Sequence, residues 1–285
     1  MRVRSVSLVL IVLVALSCKD RERAQPAPTA AAPDAGAPRA AGLAATLDAA
    51  CTKGDLEACR NLGVLHAQGK EVAADPARAA ALYQKACDGG NAAACNNLGL
   101  AAAEGLGVPV DAARAAGLYR KACDGGSLLG CRNLGLQLAF GRGVPVDAAG
   151  AAAAFTKACD GGLAFACTNL GNLAAAGQGV ARDEARAVQL WQRACDEDPT
   201  ACRQLGIAYV EGHGVPRGNA AAAVWLDRAC QHGDGIGCRV LAQLVRAGAG
   251  VAKDEARAVR LLEQACKQGD ATACAKPGPA PAPPR

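Results

Sequence analysis

The chain has 285 residues, 51% of them apolar, yet only two tryptophans, three tyrosines and three phenylalanines. A core that large with so few bulky side chains points to close packing of alanine-rich helices. The formal net charge is +5, but residues 40–275 hold 23 Lys plus Arg and 23 Asp plus Glu, so this region is neutral and offers no electrostatic footprint for nucleic acid.

Arg2 and Arg4 precede the apolar run SLVLIVLVALS and then Cys18, the charged-then-apolar plan of an export signal over residues 1–17. The run falls short of the roughly 20 residues that span a bilayer. The segment ALSC resembles a bacterial lipobox, in which the cysteine is acylated and becomes the first mature residue. Ser17 fits that pattern, Ala15 and Leu16 reverse its usual order, and the segment also suits an ordinary signal peptidase cutting before Cys18. Cysteine parity favours lipidation of Cys18: fifteen cysteines less one leave fourteen, and an odd cysteine in an exported chain calls for an explanation. The acylated Cys18 would meet a lipid bilayer, which places the protein in the periplasm or at the outer membrane.

Residues 18–39, from that anchor through KDRERAQPAPTAAAPDAGAPR, are rich in proline, alanine and charge and read as a disordered tether. The tail 276–285, KPGPAPAPPR, reads the same way.

Between them lies a repeat. Cys51, Cys87, Cys123, Cys159, Cys195, Cys230 and Cys266 are 36 residues apart, with one step of 35, the period of a solenoid. Each unit divides into two helical patterns. In DPARAAALYQKAC, Asp75 is an N-cap, Pro76 takes the first helical position, and Ala79, Leu82, Tyr83, Ala86 and Cys87 mark one buried face. This is the second helix of a unit. The first begins around Ala92, carries Cys95, Leu98, Gly99 and Ala102 inward, and ends at Gly105. Glycine recurs at Gly69, Gly105, Gly141, Gly177, Gly212 and Gly248, the left-handed position that closes a helix.

A further glycine two positions on, at Gly107, Gly143, Gly179, Gly214 and Gly250, precedes valine and the next cap, Asp111, Asp147, Asp183 or Asp254. Unit one has Glu71 at the glycine position, and unit five has Gly218 at the cap with Asn219 beside it. Four residues before each leading cysteine stands one larger side chain: Tyr83, Tyr119, Phe155, Trp191, Leu226 and Leu262. In an alanine setting these read as core filler between hairpins rather than as a ligand-stacking row.

The fourteen remaining cysteines fall into local pairs: Cys51 with Cys59, Cys87 with Cys95, Cys123 with Cys131, Cys159 with Cys167, Cys195 with Cys202, Cys230 with Cys238 and Cys266 with Cys274. In an exported chain such pairs read as disulfides. Zinc is the rival, and it would want four close ligands. The pairs are separated, and His66, His213 and His232 do not repeat in register. Two antiparallel helices joined by a short glycine turn would bring each pair toward the Cα separation of about 5.5 Å that a disulfide needs.

The unit AC-x2-G-x4-C-x-NLG followed by G-x-GV-x2-D-x2-RA-x2-LY-x-KAC resembles the Sel-one-like repeat, a relative of the tetratricopeptide repeat. Its paired cysteines make it similar to the secreted cysteine-rich bacterial Hcp family. The resemblance covers residues 40–275. It implies an all-α solenoid of about six αα-hairpins wound as a right-handed superhelix, one disulfide per repeat, and a concave surface that binds peptides or proteins without a cofactor or metal.

Some Hcp-type proteins are described as penicillin-binding or as weak β-lactamases, which is the alternative reading. A serine enzyme of that kind needs a nucleophile with a nearby base, as in S-x-x-K. Beyond the signal the only serine is Ser127, in GGSLLG, without a lysine three residues on. No catalytic residue is therefore assigned, and the reading leans away from an enzyme.

The polar clue lies inside the first helices. Two residues after each second cysteine stand Asn61, Asn97, Asn133 and Asn169, then Gln204, then Val240. Asparagine is a mediocre helix former, so something else selects it. Stacked in register, these amides would line a groove and bond an extended peptide backbone. Alternatively each would bond a carbonyl in the neighbouring repeat's turn and hold the stack.

Overall fold

The structure, a computed structural model, describes residues 40–274. The signal over 1–17, Cys18, the tether over 18–39 and the tail over 276–285 lie outside the described residues. Within them the elements are thirteen α-helices and no strand: α1 (Ala40–Thr52), α2 (Leu56–Gln68), α3 (Pro76–Asp88), α4 (Ala92–Glu104), α5 (Ala112–Asp124), α6 (Leu128–Phe140), α7 (Ala148–Asp160), α8 (Ala164–Ala176), α9 (Glu184–Ala194), α10 (Pro199–Glu211), α11 (Asn219–Gln231), α12 (Gly235–Ala247) and α13 (Glu255–Lys267). After α1 the helices form six hairpins, α2 with α3 through α12 with α13, each packed on the next as a solenoid. Among the described residues no helix is long and apolar enough to cross a membrane.

Local chemistry sets the helix ends. The side chains of Asp75, Asp111, Asp147, Asp183 and Asp254 each accept from the backbone N–H three residues on, capping α3, α5, α7, α9 and α13. Each such cap is worth about 1 kcal/mol. Helix α11 starts behind Gly218 and has no side-chain cap. The six first helices close on the predicted glycines, with φ between 63° and 77°.

The second glycine of each turn has a different task. A Cβ on Gly107, whose φ is 73°, would lie 2.1 Å from the Pro76 carbonyl oxygen, so this is where one hairpin's turn touches the backbone at the start of the preceding hairpin's second helix. Gly143 meets Ala112 in the same way. Glu71 keeps the left-handed conformation at φ 67°, the only non-glycine among the described residues to do so.

Inside each hairpin the large side chain of the second helix lies on a glycine of the first. A Cβ on Gly99 would be 2.7 Å from the Tyr119 ring, and Gly63, Gly135, Gly171 and Gly206 face Tyr83, Phe155, Trp191 and Leu226 alike. These five residues are buried, as core filler should be. In the sixth hairpin the glycine becomes Ala242, and Leu262 is only half-buried.

All seven cysteine pairs are disulfides with the partners expected. Their Cα separations, 4.3 to 4.7 Å, are shorter than the expected spacing. Five bonds join the last turn of one hairpin to the first turn of the next, Cys51–Cys59 joins α1 to α2 and Cys266–Cys274 joins the end of α13 to the turn that follows, each across a short connection that holds the two ends close. Polar ties add to the seam. Lys85, Lys157 and Arg193 donate to the carbonyls of Cys51, Cys123 and Cys159 at 2.8, 2.6 and 2.7 Å, placing a cation at the negative end of the preceding second helix.

Candidate functional site

The amide series is half-buried throughout: Asn61, Asn97, Asn133, Asn169 and Gln204 all sit at the boundary between core and surface on the first helices. Successive first helices lie side by side, α4 against α6 and α10 against α12, so residues one repeat apart can meet.

Two members of the series do so. Asn133 donates to Oδ1 of Asn96 at 2.9 Å, and Asn96 is buried. Gln204 donates to Oδ1 of Asn172 at 3.0 Å, and the same oxygen accepts from Trp191 Nε1 at 3.1 Å. These ties run amide to amide between hairpins, rather than to a carbonyl in a turn. Asn61 accepts from the Arg60 guanidinium at 2.8 Å.

Asn97 is placed differently. With the Tyr83 hydroxyl, to which it is hydrogen-bonded, it borders a cleft of about 290 Å³ between the first two hairpins. The walls are apolar, from Val64, Pro76, Ala80, Leu100 and Leu106, and Gln68 adds a second amide. Burial raises the Tyr83 phenol above its ordinary value, while Arg60 and the Asn97 amide pull it part of the way back. The cleft therefore offers an apolar floor with an amide and a neutral hydroxyl at its edge. Sequence reasoning placed Tyr83 in the core only. The tyrosine hydroxyl, which needs a polar partner when buried, is the signal that could have linked Tyr83 to Asn97.

The other candidate residues hold the fold. Ser127 caps α6, its oxygen accepting from Gly130 N–H at 3.1 Å. His213 is exposed between Glu184 and Glu211, 3.2 Å from each, His66 is buried against the first hairpin, and His232 ends α11. Among the described residues no group of three or more His, Cys, Asp or Glu is placed to hold a metal ion. Cys18 lies outside the described residues.

One feature of the seams escaped the sequence reading. The residue after each second cysteine is Arg60, Asn96, Arg132, Thr168, Arg203 or Arg239, polar at every step inside an otherwise apolar face. Arg203 pairs with Asp234 at 3.1 Å, both side chains 7% exposed. Arg239 pairs with Asp270 and Arg60 with Glu57. Asp234 and Asp270 stand 31 residues beyond their arginines, at the start of the next unit.

The model of the Sel1 repeat matches residues 56–91, 92–127, 128–163, 164–199, 199–234 and 236–270. Among solved structures, the protective antigen c5321 of uropathogenic Escherichia coli, which displays an SLR fold, is 32% identical with a TM-score of 0.75, over 81% of this chain and 50% of that one. The chain thus spans about half the length of that antigen. A Sel1 repeat protein from Oxalobacter formigenes is 24% identical with a TM-score of 0.70, over 78% of this chain and 96% of that one, and shares the fold. Helicobacter pylori cysteine rich protein B aligns at 32% identity over 45% of this chain and 93% of its own, with a TM-score of 0.38. No curated protein matches the chain.

Proposed function

Because the chain belongs to the Sel1 repeat family, we propose that it is a protein-binding scaffold that holds an extended peptide segment along its row of first helices. The observation that carries this is the Asn97 cleft, where an apolar pocket large enough for a side chain opens beside half-buried amides. In this reading the first helices line the concave face. Asn97 and Asn61 bond peptide backbone, Asn169 extends the row, and Asn133 and Gln204 keep neighbouring helices in register. The partner is a protein and not a nucleic acid.

Seven disulfides support export into an oxidising compartment. The scaffold is tethered at a membrane, in the periplasm or at the outer membrane, through acylated Cys18. Metabolic labelling with an alkyne fatty acid tests the anchor: label should enter the protein and be lost in Cys18→Ser, label that persists in the variant would place the anchor elsewhere, and no label in the native protein would rule it out.

The amide variants test the groove. Asn97→Ala should weaken binding of partners recovered by pull-down by about tenfold, beyond the cost of about 1 kcal/mol in stability from leaving the Tyr83 hydroxyl without its amide. Asn133→Ala should lower stability by about 1–3 kcal/mol, because it strands the buried Asn96 amide. If Asn97→Ala costs stability and leaves binding intact, the groove assignment fails.

A further inference from the structure

The arginine position after the second cysteine has four arginines, and three of them face a carboxylate: Arg60 with Glu57, Arg203 with Asp234 and Arg239 with Asp270. Arg132 faces none. The residue 31 positions on, where Arg203 finds Asp234 and Arg239 finds Asp270, is Leu163. Arg132 Nε is buried with no hydrogen-bond partner, and its guanidinium lies 5.6 Å from the centre of the Phe165 ring, with a 3.5 Å contact from Nη1 to Asn133.

Leucine at position 163 has a second effect. The first helices α2, α4, α6, α10 and α12 carry side-chain caps from Asp55, Asn91, Ser127, Asp198 and Asp234, whereas α8 behind Leu163 has none. Two exposed apolar side chains adjoin this spot from equivalent positions of consecutive first helices, Leu129 at 53% and Phe165 at 45% exposure. A cation without its acid thus lies against the ring of Phe165 and one helical turn from Leu129, and water covers both apolar side chains.

We propose that Arg132, Leu129 and Phe165 form a docking position for an acidic side chain of a protein partner, whose carboxylate supplies from outside the charge that Asp234 and Asp270 supply within the chain in later repeats. Charge complementarity selects the occupant. The guanidinium N–H groups donate bidentately to a carboxylate, and an apolar residue next to the acid would cover Leu129 and the Phe165 ring. This position lies at the start of α6 and α8 and is separate from the Asn97 cleft.

Side-chain NMR of the oxidised protein tests it, with the blocked peptide Ac-Gly-Glu-Phe-Ala-Gly-NH2 as probe. The peptide should shift the Arg132 Nε–H and Phe165 ring signals in saturable fashion. Its Gln counterpart should bind about tenfold or more weakly, as expected when a charge-assisted bond is lost. Leu163→Asp supplies the missing acid from within the chain and should abolish the response while the protein stays folded. Asn97→Ala should leave it unchanged, which separates this position from the groove.

Equal shifts from the Glu and Gln peptides would overturn the proposal, as would an undiminished response in Leu163→Asp. A response only to Ac-Gly-Ala-Phe-Ala-Gly with a free C-terminus would replace the acidic side chain with a terminal carboxylate and so overturn the assignment. No response at Arg132 to any peptide would leave the Phe165 stack as a self-contained pair.

Discussion

At the start of α12, Asp234 serves two neighbours at once: it caps the helix by accepting from Gly237 N–H, and it pairs with Arg203 from the preceding hairpin. Both groups are almost fully covered, so removing one charge leaves the other buried without compensation. Asp234→Asn should therefore destabilise the array by about 3–5 kcal/mol, read from urea unfolding, far beyond the fraction of a kcal/mol expected for a surface pair such as Arg78 with Asp48. Asp270 adds a pH dependence. Burial pushes its carboxyl up, but hydrogen bonds from Thr272 and Arg239 outweigh that and hold it below the ordinary carboxylate value. A depressed folded value means that the stabilisation is complete above the unfolded pKa of about 3.9 and is lost as pH falls through the folded one. The stability difference between the native protein and Asp270→Asn should be constant near neutral pH and vanish in strong acid. A difference that grows on acidification would contradict this sign.

Helices and turns owe their ends to residues within reach along the chain, and this is why they were legible beforehand. Asp75 before Pro76, the glycine ending each first helix and the 3.6-residue apolar spacing all act within a turn or two. What lies against a glycine was not legible. Gly99 is helical and has no need of a special φ; it is glycine because the Tyr119 ring occupies the space of a Cβ. Gly99→Ala should cost about 1–3 kcal/mol through overpacking, and Tyr119→Leu should recover part of it in a double-mutant cycle. Gly107→Ala meets backbone at a positive φ, where nothing can yield. It should cost more, and hydrogen exchange should show the first two hairpins parting while the later ones stay protected.

In an array each hairpin touches only its neighbours, so stability is a sum of unit and seam contributions. Each disulfide closes a loop of eight or nine residues at a seam, and removal of one should cost about 2.5 kcal/mol by chain entropy. Replacing Cys123 and Cys131 together with serine should weaken the seam between α5 and α6 and split urea unfolding into two steps. A single transition shifted uniformly would mean that the seam is held by packing instead.

The helices, the aspartate caps of the second helices and the disulfide partners followed from the sequence alone, because each depends on residues fewer than ten apart, and their recurrence along the chain gave the period. The tertiary structure decided which polar groups face each other: Asn133 with Asn96, Gln204 with Asn172, Arg203 with Asp234, and Arg132 with no acid. Those pairs lie 31 to 37 residues apart. Which member of one unit meets which of the next depends on the rotation between stacked hairpins, and a repeat read along one chain carries the period of that stacking but not its angle.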